Sequence, residues 1–339
     1  MQQITIKALA RELNLSVSTI SKALRDSHEI SPATKSRVLQ LAARLNYQTN
    51  PYASSLRGKK SRNIGIVIPE VADSFFSLAI NGIDATIKAK GYHSIICLTH
   101  EDFSNEQAIL KELQNGRVDG VLMSVSSETT SGKHIRALME QHVPVVLFDR
   151  VLTDIPSAQV ITDDMASSYN ATQHLLRNGC KRIAFLGLSQ QLSISADRLR
   201  GYENALRGHN ITPSPKHILT CTPDPKKNMA LIKKLLQQKE RPDGIVAAVE
   251  KLAPLVYQAC GQLSLRIPQD VKVVCFSNLE LAGLLQPSLT TVTQPAFEMG
   301  KKAAEVLLRL LDSKPLQKGD MQVVIASRLV ERNSTNGKI

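Results

Sequence analysis

From Asn63 onward short apolar runs alternate with amphipathic ones, and this alternation restricts the fold more than any other feature of the sequence. NIGIVIPE reads as a buried strand, SFFSLAINGIDATIKAKGY as a helix ending at Gly91, and HSIICLT as the next strand. The series continues through helix NEQAILKELQNG, strand VDGVLMS, helix GKHIRALMEQ and strand VPVVLFD. A second series follows, with helix MASSYNATQHLLRNG, strand RIAFLG, helix DRLRGYENALRG, strand HILTC, helix KKNMALIKKLLQQ, strand DGIVAAV, a helix from Lys251, and strand VKVVCFS. Strands spaced by helices in this way form parallel sheets covered on both faces, and two such series predict two α/β lobes. Ligands in open parallel sheets bind beyond the carboxyl ends of the strands, so a cleft between the lobes is the expected pocket.

Ahead of that core stands a different texture. Thr5 to Leu24, TIKALARELNLSVSTISKAL, reads as two short helices joined by a tight turn. Thr5 can cap the first helix, whose Ile6, Leu9, Ala10 and Leu13 recur at the spacing of one buried stripe. Asn14 tolerates the left-handed backbone that a sharp turn needs, and Ser16 can cap the second helix. There Ile20 and Leu24 face inward, while Val17, Ser18, Thr19, Ser21 and Lys22 leave a small, hydroxyl-rich and basic outer face. Such a face fits a DNA major groove. An ordinary helical hairpin with a solvated face has the same local pattern, and charge decides between them. Residues 1–62 carry eleven Lys or Arg against Glu12, Asp26 and Glu29, a net of +8 out of +12 for the whole chain. An excess concentrated on this segment is what a polyanion-binding domain requires. A third helix, begun by Ser31 and Pro32 with Val38, Leu41, Ala42 and Leu45 as its stripe, closes the small core. Lys35, Arg37 and Arg44 lie outside as phosphate or solvent contacts.

Thr49 to Ser61 reads as a linker. A flexible tether is one account of it; the other is a short helix, capped by Asn50, that orders only on DNA and places Leu56 as a minor-groove wedge. The five cysteines are odd in number and scattered without a C-x-x-C pair, as expected of free thiols in a reducing compartment. No signal-peptide pattern opens the chain and no apolar run is long enough to span a membrane, so a cytoplasmic location is expected. Phosphate-loop, dinucleotide-turn, zincin and nucleophile-elbow motifs are missing, and the histidines lack metal-ligand spacing. An enzyme is therefore not expected, nor is a cofactor or bound metal. A secreted solute-binding protein would have a leader in place of residues 1–62.

Several stretches together resemble the LacI/GalR family of bacterial transcription regulators. They are the TIKALARELNLSVSTISKAL opening, NPYASSLRGKKS, NIGIVIP, DRLRGY, IPQDVKVVCFSN, PSLTTVTQP, FEMGKKAAEVLL and the closing LVERNST. The resemblance implies an N-terminal all-α helix-turn-helix domain (1–48), a hinge helix (49–61) and a two-lobed α/β core with parallel sheets (62–339) like a type I periplasmic binding protein. The first lobe would take about 62–161 and 294–321, the second about 162–293 and 322–339, with crossovers near Ile161, Thr293 and Met321. It also implies a homodimeric repressor that binds a near-palindromic double-stranded DNA operator under control of a small, sugar-like effector. The tail beyond LVERNST has no heptad segment, which makes a dimer the expected assembly.

Carried over by position, Val17, Ser18 and Lys22 match the base-reading set, and Thr5, Ser16, Thr19 and Ser21 lie near phosphates. Asn50, Ala53 and Leu56 match the hinge, although Thr49 stands where a proline is common. Ser74, Phe76, Asp149, Arg198, Glu250 and Asn278 match the effector positions. Structural readings stand beside these: Asp149 and Arg198 can pair across the cleft, and Phe75 and Phe76 can be core. Two departures weaken the usual sugar platform. Val249-Glu250 replaces a polar residue followed by Asp, and Pro223 stands about where an aromatic often stacks. An unusual effector, or lost small-molecule control, would account for both.

Overall fold

The structure, a computed structural model, describes residues 5–24, 26–45, 47, 60–189, 192–317 and 319–336. Most of the expected hinge, including Asn50, Ala53 and Leu56, lies outside them. The chain forms two units, Met1–Ser61 and Arg62–Ile339.

In the first unit, α1 (Ile6–Leu13) ends at Asn14, whose φ of 50° and ψ of 45° are left-handed; α2 (Val17–Ala23) and α3 (Pro32–Arg44) follow. Leu9, Ala10, Ile20, Ala23, Val38 and Leu41 are buried together, with Leu13, Val17, Leu24, Leu45 and Tyr47 packed around them. Eight-residue and shorter helices are marginal alone, so this shared core and the caps hold them.

The second unit has two six-stranded sheets. The first lobe is built from β1 (Asn63–Ile68), α4 (Ser74–Lys88), β2 (His93–Leu98), α5 (Phe103–Glu112), β3 (Gly120–Met123), α6 (Lys133–Glu140), β4 (Val145–Phe148) and β5 (Ala158–Thr162). The second has α7 (Asp164–Arg177), β6 (Ile183–Gly187), α8 (Ser193–Gly208), β7 (Ile218–Thr220), α9 (Pro225–Leu236), β8 (Gly244–Ala247), α10 (Ala253–Gln262), β9 (Lys272–Phe276) and β10 (Thr290–Thr293). The chain returns to the first lobe with α11 (Ala296–Leu311) and β11 (Gln322–Ile325), and ends in the second with β12 (Arg328–Val330). Strand order is β11-β5-β4-β3-β1-β2 in one sheet and β12-β10-β9-β8-β6-β7 in the other. All pairings are parallel except β10 with β12.

Alternation along β1 shows how each sheet is clothed. Ile64, Ile66 and Ile68 pack under α4 and α11, while Val67 faces the opposite layer with Leu110, Leu113, Ile135 and Leu138. Helices α4 and α11 touch backbone to backbone: a Cβ on Gly300 would lie 2.0 Å from the Ala79 carbonyl oxygen, and one on Gly82 2.0 Å from that of Phe297. The second sheet has corresponding layers, Leu186 and Ile245 with α9 and α10, and Phe185 and Val246 with α7 and α8.

The third crossover departs from expectation. Val323 and Val324 pair with Val160 and Ile161 in the first sheet, so the chain passes to the second lobe at Ala326–Ser327 and not near Met321. The missed cue is β11 itself, a four-residue edge strand, QVVI, that alternates exposed and half-buried positions and has none fully buried. Among the described residues no helix is long and apolar enough to cross a membrane, and no group of three or more His, Cys, Asp or Glu could hold a metal ion. The five cysteines are free thiols, four of them buried.

Candidate DNA-binding face and inter-lobe cleft

Thr5 and Ser16 act as caps. The Ala8 amide donates to Thr5 Oγ1 at 3.4 Å and the Thr19 amide to Ser16 Oγ at 3.0 Å. Ser16 Oγ is also 2.7 Å from Ser18 Oγ and 2.8 Å from Thr19 Oγ1, so three hydroxyls cluster where α2 begins. Ser16 and Ser18 are exposed, while Val17, Thr19, Ser21 and Lys22 are half-buried. Val17 also packs on the domain core. The three acidic residues of this unit are each paired with a cation, Glu29 with Lys22, Asp26 with Lys35 and Glu12 with Arg44. Lys35 and Arg44 are thus committed within the unit, whereas Lys7, Arg11 and Arg37 are exposed.

The cleft lies where strands of both lobes end. Asp73 and Phe76 follow β1, Asp149 and Arg150 follow β4, Val249 and Glu250 follow β8, Ser277 and Asn278 follow β9, and Gln294 follows β10; with Arg198 of α8 they line one chamber. Its free volume is about 30 Å³, room for a water molecule or two. Glu250 spans it. Glu250 Oε1 accepts from the Ser74 amide at 3.2 Å and Ser74 Oγ at 2.7 Å; Oε2 accepts from Ser277 Oγ at 2.7 Å and the Asn278 amide at 2.9 Å. The Asn278 side chain is engaged elsewhere, donating to the Gln294 carbonyl at 2.6 Å. A second, larger space of about 570 Å³ also lies between the lobes, bounded by Glu101 and Ser127 of the first and Leu188, Thr220, Cys221, Thr222, Pro223 and Lys251 of the second.

Sequence comparison identifies both units. The description "Bacterial regulatory proteins, lacI family" matches residues 5–50, and "Periplasmic binding protein-like domain" matches 172–335. The HTH-type transcriptional regulator RegA of Clostridium saccharobutylicum is 30% identical over 332 residues, covering 98% of this chain and 99% of that protein. The chain belongs to the lacI family of bacterial regulatory proteins. The ribose operon repressor of Halalkalibacterium halodurans is 29% identical over 334 residues, covering 98% and 97% of the two chains. Among solved structures, the lac repressor dimer bound to operator and the anti-inducer ONPF has a TM-score of 0.84 at 21% identity, covering 98% of this chain and 99% of that one. The transcriptional regulator CelR with cellobiose has a TM-score of 0.73 at 22% identity, with the same coverage. These two likenesses establish the fold: a helix-turn-helix unit and a two-lobed core. As a lacI-family member the protein is a DNA-binding transcription regulator.

Within this lacI-family core, Arg198 does not pair with Asp149. Its Nε donates to Asp164 Oδ1 at 2.6 Å and its Nη1 to the Ala248 carbonyl at 2.5 Å, and its guanidinium lies 4.1 Å over the Phe276 ring. Nη2 is buried without a partner. Asp149, 4% exposed and left-handed at φ 60°, pairs with the Arg150 guanidinium at long range, Nε at 3.9 Å, with Arg198, Asp164 and Asp73 also acting on it. Burial outweighs that attraction and pushes its carboxyl up to about 7. Burial, reinforced by Glu250, also raises Asp73. Arg150 itself holds Glu101 with both oxygens at 2.9 Å, which against the opposing effect of burial keeps that carboxyl below its ordinary range. Phe75 and Phe76 are core, edge to face at 5.4 Å, yet both also line the chamber. Sequence reading missed Asp73, Arg150, Ser277 and Gln294. Asp73, Ser277 and Arg150 adjoin residues it selected, while Gln294 lies in the PSLTTVTQP segment and ties two crossovers by donating to Thr162 Oγ1 at 3.2 Å.

Proposed function

We propose that this regulator is a homodimeric repressor that places two helix-turn-helix units on the half-sites of a near-palindromic operator and responds to a small molecule, a sugar or sugar derivative, in the inter-lobe cleft. Ser18 and Lys22 read bases, Val17 contributes an apolar contact, and Thr5, Ser16, Thr19 and Ser21 position the unit on phosphates. Asn50, Ala53 and Leu56 order as a hinge in the central minor groove. The observation that carries this reading is the hydroxyl and lysine face of α2, exposed at Ser18 and half-buried at Thr19, Ser21 and Lys22, on the same chain as a polar cleft formed at the strand ends of two lobes. A sugar-like effector accords with the name of the ribose operon repressor, to which the chain is 29% identical. Ser74, Phe76, Asp149, Arg198, Glu250 and Asn278 line or border the cleft. Only differential affinity for two lobe arrangements lets such a molecule control DNA. Exposed Leu281 and Leu284 on the second lobe and Ile96 on the first are candidates for dimer contacts.

A second reading, the same repressor without small-molecule control, is favoured by the about 30 Å³ chamber and by Val249, which is 9% exposed and packed among apolar side chains. The test is operator binding on a site found by in vitro selection, repeated with sugars, sugar phosphates, nucleobases and organic acids. A compound that shifts affinity supports control through the cleft. Tight palindrome binding that no compound alters supports the second reading, and no preferred sequence at all would refute both.

A further inference from the structure

The two departures at the cleft, Val249 and Glu250, have opposite consequences. Val249 removes a polar group and joins the apolar layer beside Ala247 and Leu252. Glu250 adds one, and its carboxylate is saturated: it has two oxygens with about four acceptor directions, and four protein donors fill them, Ser74 supplying two from the first lobe and Ser277 and Asn278 two from the second. Each oxygen serves one lobe. We propose that Glu250 is an internal occupant of the effector position, a latch whose carboxylate holds the two lobes together, so that an effector acts against closure already present and does not create it. This rests on the reading of the cleft as the regulatory site.

Two other bonds between the lobes are weaker supports. Lys251 Nζ lies 3.4 Å from Glu70 Oε1 with both side chains more than a third exposed, and exposed pairs of this kind contribute little. The Val151 amide donates to Ser193 Oγ at 3.2 Å, a single neutral bond. Charge-assisted bonds are about twice as strong as neutral ones; of the four that Glu250 accepts, the two from Ser74 cross between the lobes, and the two from Ser277 and Asn278 fix the carboxylate in the second. About 30 Å³ is left beside the carboxylate, and about 570 Å³ lies in the larger space that Lys251, the next residue, borders. Ser74 and Ser277 are the hydroxyl donors for which an effector competes with Glu250.

The distance between spin labels on the full-length protein tests this, with Lys111→Cys on α5 and Lys226→Cys on α9, both exposed, in a Cys97→Ser background. The expected result is a short, narrow distribution in the parent and a longer, broader one in Glu250→Ala and Glu250→Gln. Lys251→Ala should match the parent. Ser74→Ala combined with Ser277→Ala removes one hydroxyl from each lobe without touching the carboxylate, and should open the lobes in the same sense; it carries the test should circular dichroism show the Glu250 variants unfolded. Folded variants whose distributions superimpose on the parent overturn the latch. Operator affinity measured on the same samples should change by about tenfold or more on opening. Lobes that open with operator affinity unaltered would uphold the latch and refute the regulatory reading of the cleft.

Discussion

Replacing Asp149 with Asn isolates a buried cleft carboxyl whose ion pair, to Arg150 Nε at 3.9 Å, is long. The side chain is 4% exposed and its carboxyl is pushed from 3.8 to about 7. At about 1.36 kcal/mol per pH unit this corresponds to roughly 4 kcal/mol of proton-linked free energy, an upper figure, since a chamber that admits water relaxes part of it. The sign follows from proton counting. Between about pH 4 and pH 7 the unfolded chain has lost the proton that the native chain keeps, so Asp149 makes stability fall as pH rises through that window and level off above it. Asn cannot ionise, keeps the same shape, and accepts the left-handed backbone at φ 60°. Arg150, Arg198, Asp164 and Asp73 face the group and are shared by both proteins. Urea unfolding of the core at half-unit steps from pH 5 to pH 8 should therefore show Asp149→Asn gaining on the parent by about 2 to 3 kcal/mol across the range, with the gain complete near pH 7.5. A difference between the two proteins that stays flat with pH would refute the assignment.

Arg198→Ala strands the buried Asp164 carboxylate, so the core should lose about 3 to 5 kcal/mol in the same urea assay; a loss below about 1 kcal/mol would mean that the pair is solvated. Lys22→Ala should weaken the selected operator by about 1 to 3 kcal/mol while relaxing preference at one base pair. Glu29→Gln, which frees the same lysine from an exposed pair, should alter affinity by less than about 1 kcal/mol. Both are read by fluorescence anisotropy on specific and scrambled duplexes, and equal loss on the two duplexes for Lys22→Ala would make that lysine a phosphate contact. Leu56→Ala should reduce operator binding far more than nonspecific binding, and equal reduction would rule out a wedge.

The parts of this molecule legible in the sequence are those whose cause is local. Asn14 at a left-handed turn, Ser16 and Ser31 as caps, and Pro32 at the start of α3 are each decided by neighbours within a few residues, and the structure has them in those roles. Buried strands such as Gly244–Ala247 are equally plain, because four consecutive small or apolar side chains leave no solvent face. β5 is less plain: it interleaves Gln159 and Thr162 with apolar residues, and its partner β11 arrives more than 150 residues later, so neither strand announces itself.

The cleft shows why the remainder resisted. At Val249-Glu250 the sequence displays what is missing, a polar residue and a short acid, and from that side alone the site looks impaired. What Glu250 gains is spread across positions 74, 277 and 278, and no periodicity or spacing links a serine 176 residues upstream to a carboxylate after β8. Arg198 is the converse case. Position marks it as a ligand contact, yet Asp164, the Ala248 carbonyl and the Phe276 ring take up Nε, Nη1 and one face of its guanidinium, leaving Nη2 alone unsatisfied. A buried cation so tied is a fixed wall of the cleft with one donor to offer, and Asp149, its carboxyl pushed up to about 7 and so exchanging between acid and carboxylate near neutral pH, supplies the adaptable group beside it. Specificity in such a site comes from which partners are already taken, and that is a property of the folded chain.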